Sequence, residues 1–258
     1  MKSSKIIRIV IVMIMGLASW FCVSSPLHAQ TDEIQVYTGE INKPREFSIT
    51  LHNNFIALGR STPGFPDGLV PRHSLNGVPE FGYGVTDWFE LGAYVPVYSI
   101  TEEGHVHVNA FKLRTLFVSP HANERKFFYG ANFEFSYNRP QWDERRFSGE
   151  IRPIIGTRVG KFDFIFNPIF DYNFYDIGET SFVPALRVAY NLSPVWAVAL
   201  EHYADFGQFK DFGNQQAQSL FGVVDFNPKP YAVEFGIGHG FTADSDALVL
   251  KLIVSRNF

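Results

Sequence analysis

Apolar and polar residues alternate along most of this chain with a period of two. At 162–172, Phe162, Phe164, Phe166, Pro168, Phe170 and Tyr172 fall on one side, and Asp163, Ile165, Asn167, Ile169 and Asp171 on the other. At 126–138, Phe127, Tyr129, Ala131, Phe133, Phe135 and Tyr137 oppose Gly130, Asn132, Glu134 and Ser136. At 231–241, Tyr231, Val233, Phe235, Ile237 and Phe241 oppose Ala232, Glu234, Gly236, Gly238 and Gly240. Successive side chains of a strand point to opposite faces, so this pattern predicts half-buried β-strands and not helices. Twelve strands follow, at 46–57, 74–85, 88–99, 106–118, 126–138, 147–159, 162–174, 180–191, 195–205, 217–227, 231–241 and 247–258.

The connections alternate in length. Thr86-Asp87, Gly160-Lys161, Ser193-Pro194 and Lys229-Pro230 are short and built from turn-forming residues. Between them lie longer polar stretches at 58–73, 100–105, 139–146, 175–179, 206–216 and 242–246, and 119–125 is the one long member of the short series. Outer-membrane barrels have short periplasmic turns and long extracellular loops. The expectation is an all-β, antiparallel transmembrane β-barrel with both termini periplasmic, as an even strand count requires.

A soluble β-sandwich alternates in the same way, with its apolar face turned inward. Three features favour the barrel. Aromatics gather near strand ends, as at Tyr98, Tyr129, Tyr137, Tyr172, Tyr190, Trp196, Tyr231 and Phe241, where a barrel carries interfacial girdles. Charges collect on the polar face, at Glu80, Glu90, Lys112, Arg114, Glu134, Glu150, Arg152, Arg158, Asp163, Asp171, Arg187, Glu201, Glu234 and Lys251. Counted from the turns, Arg114 falls near Glu90, Glu134 near Arg152, Arg158 near Asp163 and Arg187 near Glu201. Opposite charges on adjacent strands suit a confined polar interior, where a lone charge is costly. Last, the chain ends on Phe258, with Leu248, Leu250, Leu252 and Val254 on the same face.

Composition changes the picture in two places. The 258 residues are 46% hydrophobic and include 27 Phe, yet mean hydropathy is only −0.03, which is what two opposite faces average to. A net charge of −4 with so many apolar residues excludes a disordered chain and a basic nucleic-acid-binding surface. A lone Cys excludes a disulfide scaffold. Residues 1–29 read as a secretory signal peptide: Lys2, Lys5 and Arg8, a short apolar core from Ile9 to Leu17, and cleavage after Ala29. The core is too short for a membrane anchor, and Trp20-Phe21 before Cys22 does not suit lipidation. Removing the segment takes away Cys22 and three basic residues, leaving 229 residues at −7. Residues 30–45 are then a periplasmic N-terminal segment ahead of a barrel at 46–258, too short for a plug domain. No run of 18 apolar residues follows, so no transmembrane helix is predicted.

Several segments carry a resemblance. Gly84-Val85-Thr86-Asp87-Trp88-Phe89-Glu90-Leu91-Gly92, the pair Lys112 and Arg114, and Gly236-Ile237-Gly238-His239-Gly240-Phe241-Thr242 resemble the outer-membrane β-barrel family labelled as meta-pathway phenol-degradation proteins. The chain is also distantly similar to fatty-acid and aromatic-hydrocarbon transporters of the outer membrane. The likeness spans most of 46–258 and implies uptake of aromatic or apolar compounds, with no catalytic residues to carry over. The final strand resembles the signal read by the outer-membrane assembly machinery, through Leu250, Leu252, Val254 and Phe258, with Arg256 as a departure.

Other chemistry is thin. Glu102-Glu103-Gly104-His105-Val106-His107 has ligand types for a divalent cation but reads better as a solvated hairpin tip. A hydrolase would need Ser or Asp beside His, and neither His73-Ser74 nor Glu201-His202 can form a dyad, since neighbours on a strand point apart. Glycines 77, 82, 84, 236, 238 and 240 fall mostly on the lumen side, where they make room for a solute or for close backbone approach. The loop 58–72 either constricts the mouth or covers it.

The expectation is therefore a Gram-negative outer-membrane protein, not an enzyme, for passive passage or uptake of small molecules, apolar or aromatic ones among them. Its lumen lining is expected at Glu90, Lys112, Arg114, Glu134, Arg152, Arg158, Asp163, Arg187, Glu201, Glu234 and Lys251. No metal or cofactor is expected; the partners are outer-membrane lipid, the assembly machinery and a small solute, not nucleic acid. The alternatives are a structural barrel whose lumen is filled by side chains, a lipid-modifying hydrolase, and a soluble periplasmic β-sandwich.

Overall fold

A computed structural model describes residues 32–174, 176, 179–213 and 216–258. The expected signal segment 1–29, with Cys22, lies outside them. Fourteen strand segments form: β1 (Phe47–Leu58), β2 (Leu75–Gly84), β3 (Phe89–Ile100), β4 (Val106–Val118), β5 (Phe127–Asn138), β6 (Phe147–Val159), β7 (Phe162–Asn167), β8 (Phe170–Asn173), β9 (Ser181–Phe182), β10 (Ala185–Asn191), β11 (Trp196–Asp205), β12 (Ala217–Phe226), β13 (Tyr231–Gly240) and β14 (Leu248–Asn257). All pairings are antiparallel, and β1 pairs with both β2 and β14, which closes the sheet into a barrel.

The fourteen segments make twelve wall strands. β7 and β8 both pair with β6 and form one strand, interrupted at Pro168-Ile169. β9 and β10 likewise form one strand, interrupted at Val183-Pro184, and pair with β8 and β7. Proline has no N–H for the ladder, so each break falls where Pro168 or Pro184 stands. Val183 N–H to the Ile169 carbonyl, at 2.9 Å, bridges the two breaks. With these joins, every predicted strand end agrees with the structure to within one residue.

The faces separate as the alternation predicts. Phe133, Phe135, Phe164, Phe166, Leu113 and Leu200 are exposed on the outer face. At the short-turn end Trp88, Tyr129, Trp196, Tyr231 and Phe258 ring the outside, with Trp196 stacked on Phe226 at 4.3 Å. Arg256, the departure in the last strand, lies over the rings of Tyr231 and Phe258 at 5.3 and 4.5 Å, so its charge meets π faces and not bare lipid. Tyr98 lies outside, donating to Asn53 Oδ1 at 2.7 Å and covering Gly77.

The segment before β1 departs from expectation. Residues 32–43 do not project away from the barrel as a periplasmic segment; they run up inside it as an extended strap. Tyr37 N–H donates to Asn167 Oδ1 at 2.7 Å, and Asn167 Nδ2 returns a bond to the Tyr37 carbonyl at 3.2 Å. Lower down, Asn42 N–H donates to Glu90 at 2.7 Å. The strap's composition explains the seat. Val36 and Tyr37 join an apolar cluster of Leu116, Phe128, Ile154, Ile165 and Ala185 inside the wall, so the interior is not uniformly polar. Removing that apolar surface from water favours insertion by roughly 25 cal/mol per Å². Close fit at the base needs Gly84, where an added Cβ would overlap the Lys43 carbonyl.

Candidate functional site

Each wall strand alternates, so side chains from distant parts of the chain converge in the lumen. Three charge clusters result. In the first, Arg114 Nε donates to Glu80 at 2.7 Å and Arg114 Nη2 to Glu90, while His52 Nε2 lies 3.0 Å from Glu80. In the second, Arg187 meets Glu201, Asp225 and Glu234, and Lys251 meets Glu201, with Glu234 at 2.6 Å. Tyr203 donates to Glu201 at 2.6 Å. Lys251 and Glu201 have no exposed surface.

The third cluster joins wall to strap. Lys112 Nζ is 2.9 Å from Asp32. Arg152 grips Glu150 through Nε at 2.6 Å and Nη2 at 3.0 Å, reaches the Gln35 carbonyl at 3.1 Å, and lies 3.6 Å from Glu33. Glu134 accepts from Asn132 Nδ2 at 2.8 Å. Arg152 also stacks over the Tyr37 ring at 4.4 Å.

Most residues expected in the lumen point inward: Glu90, Arg114, Glu134, Arg152, Arg187, Glu201 and Lys251 are buried there, and Lys112 and Glu234 nearly so. Arg158 and Asp163 sit at the short-turn rim, 3.8 Å apart, where Arg158 also donates to the carbonyls of Ala122 and Arg125. The structure brings Arg114 to Glu90 and Arg187 to Glu201. It does not bring Arg152 to Glu134. The register sets Glu134 opposite Glu150 and Arg152 opposite Asn132, so Arg152 takes Glu150 instead. Sequence reading also left out Asp32, Glu33, His52, Asp225 and the inward aromatics Tyr94, Phe128 and Phe221. Phe128 had a signal: it follows Phe127, so parity puts one of the two inside.

Above the third cluster a cavity of about 1100 Å³ opens among the long loops. Asp32, Glu33, Ile34 and Gln35 of the strap form its floor. Twelve Asp or Glu and six Lys or Arg line it. Arg60 and Phe65 of the loop after β1 reach its wall, and Arg60 Nε is 3.7 Å from Asp246 across the mouth.

The remaining sequence candidates fall outside this cavity. Leu250, Leu252, Val254 and Phe258 face outward on β14, with Phe258 N–H donating to the Phe47 carbonyl at 2.8 Å. His73 lies 2.7 Å from Glu102 and Ser74 donates to the Pro71 carbonyl, so His73 and Ser74 do not engage each other. In the loop at Glu102–His107, Glu103's own backbone N–H holds its carboxyl below the usual carboxylate value. Among the described residues, no group of three or more His, Cys, Asp or Glu is arranged to hold a metal ion.

No family model matches the chain, and no curated protein matches it. Its fold is shared with solved outer-membrane channels. The COG4313 outer-membrane channel from Pseudomonas putida F1 superposes with a TM-score of 0.58 at 11% identity, over 86% of this chain and 98% of that one. The NanC porin gives 0.55 at 6% identity, over 81% and 98%. The KdgM porin gives 0.54 at 8% identity, over 82% and 99%. The chain therefore has the fold of a closed twelve-stranded outer-membrane barrel.

Proposed function

We propose that the protein sits in the cell outer membrane as a channel for small solutes, and that the strap holds its lumen in a closed state. The observation that carries this reading is the cavity of about 1100 Å³, which enters from the long-loop end and stops on Asp32–Gln35. Below that floor the lumen is filled by the strap, by Tyr94 and Phe128, and by the Arg114 cluster. Passage requires the strap to move. Long loops then face the exterior, and both termini the periplasm. Phe258 and the outward leucines of β14 present the signal for assembly. Most of the lining residues are charged or polar, which supports polar solutes; Phe65, Trp142, Ile169 and Val183 give an aromatic or apolar part of a solute a wall of its own.

Planar-bilayer recording tests the reading. The native chain should give small or rare current steps. Lys112→Met with Arg152→Met, which removes two of the strap's cationic tethers, should give larger and more frequent ones. Silence from both, with the heat-modifiable gel mobility of a folded barrel retained, would favour the second reading. That reading is a structural barrel, supported by the complete burial of Lys251, Glu201 and Tyr94.

A further inference from the structure

We propose that the cavity floor is a recognition site for an organic cation, a small solute carrying a primary ammonium or guanidinium group. The proposal deepens the channel reading and rests on it, since it names the class of solute received by that cavity. Four carboxylates meet there, Asp32, Glu33, Glu134 and Glu150, against two cations, Lys112 and Arg152. The geometry does not share the two cations among the four. Arg152 is committed to Glu150 by two bonds, with Glu33 more distant, and Lys112 is committed to Asp32.

Glu134 is left over. It is 4% exposed, and among the described residues no Lys or Arg nitrogen lies within 4.0 Å of its carboxylate. Its register partner is Glu150, a like charge, and among the described residues its hydrogen bond comes from the neutral amide of Asn132. Asp32, 5% exposed, is paired with Lys112 through Oδ1, but its Oδ2 is buried on the cavity floor with no hydrogen-bond partner and can accept from an entering donor. Buried carboxylates without counter-charge cost several kcal/mol, and a cation that enters the cavity removes that cost. The acidic excess of the whole lining draws cations toward the mouth and repels anions.

Three features favour an organic cation over a metal ion. Among the described residues, the carboxylates do not converge into a metal-holding group. Trp142, Tyr203 and Phe65 line the same cavity, and aromatic faces attract ammonium and guanidinium groups. A cavity of about 1100 Å³ also has room for a carbon skeleton behind the charged head.

The test is calorimetric titration of the folded full chain in detergent with 1,4-diaminobutane, with 1,4-butanediol as the neutral probe and magnesium chloride as the inorganic one. The diamine should bind saturably and the diol should not. Glu134→Gln, which keeps the bond from Asn132, should weaken the diamine by about tenfold or more, the worth of a charge-assisted bond. Heat-modifiable mobility establishes that each variant is folded, and Glu150→Gln serves if Glu134→Gln is not. Equal binding of diamine and diol, no effect of Glu134→Gln or Glu150→Gln, or displacement of the diamine by equimolar magnesium would overturn the site. Bilayer current is read separately: binding without current fails the channel reading alone, and current without binding fails the site alone.

Discussion

The Arg187–Lys251 cluster and the cavity floor are made of the same residue types on the same inward faces, yet they differ in how charge is matched. Around Arg187 and Lys251, each of Glu201, Asp225 and Glu234 touches a cation. At the floor Glu134 touches none among the described residues. Register is one cause: Arg187 stands directly opposite Glu201, whereas Glu134 stands directly opposite Glu150. The strap is the other, because it brings Asp32 and Glu33 to a place that already holds two wall carboxylates. Where charges interlock, the lumen becomes wall. Where carboxylates outnumber their partners beside open space, it becomes a place for a visiting cation.

Three substitutions put that contrast at risk. The largest effect is expected from Lys251→Met. It takes away a cation that has no exposed surface and leaves the fully buried Glu201 short of a partner, so the barrel should lose about 3–5 kcal/mol in urea unfolding from detergent. A loss below about 1 kcal/mol would mean that the charges of this cluster do not interlock. Arg152→Met should cost less, about 2–3 kcal/mol, because Glu150 and Glu33 can turn toward water in the cavity above. It should also expose the strap to limited proteolysis; a strap as resistant as in the native chain would show that Arg152 does not hold it. Glu134→Gln should raise stability, by about 1–2 kcal/mol, since it removes a buried charge that has no partner and orphans no cation. A cost as large as that of Lys251→Met would place Glu134 among the interlocked charges and erase the difference between the regions.

The wall was legible because period-two alternation and turn chemistry are local, and each strand carries both. The pair Arg187 and Glu201 was legible for the same reason. Its strands flank the tight turn Leu192–Val195, and a short turn dictates register. Glu134 and Arg152 were misjoined because their strands are linked by the loop 139–146, which leaves register open by two residues. The strap could not be read at all from periodicity. Its contacts are far away in the chain, 130 residues for Tyr37 with Asn167 and 217 for Ile34 with Lys251. A short stretch with both acids and apolar residues, Asp32-Glu33-Ile34-Gln35-Val36-Tyr37, looks like a linker until its partners are known. The cavity floor shares that fate, being half strap.

The seam between β1 and β14 has a bearing on how the molecule comes together. Thr50 and Ser255 share a hydroxyl hydrogen bond across 205 residues of chain. Pairings this distant in sequence form late, because hairpins between neighbouring strands fix themselves first. The strap is continuous with β1, one side of that seam, and Asn257 of β14 donates to Asn42 of the strap at 3.2 Å. When the final strand arrives, the segment it must enclose is thus tethered beside its docking edge. The wall can wrap around the strap, and no step need thread a free end through a finished cylinder.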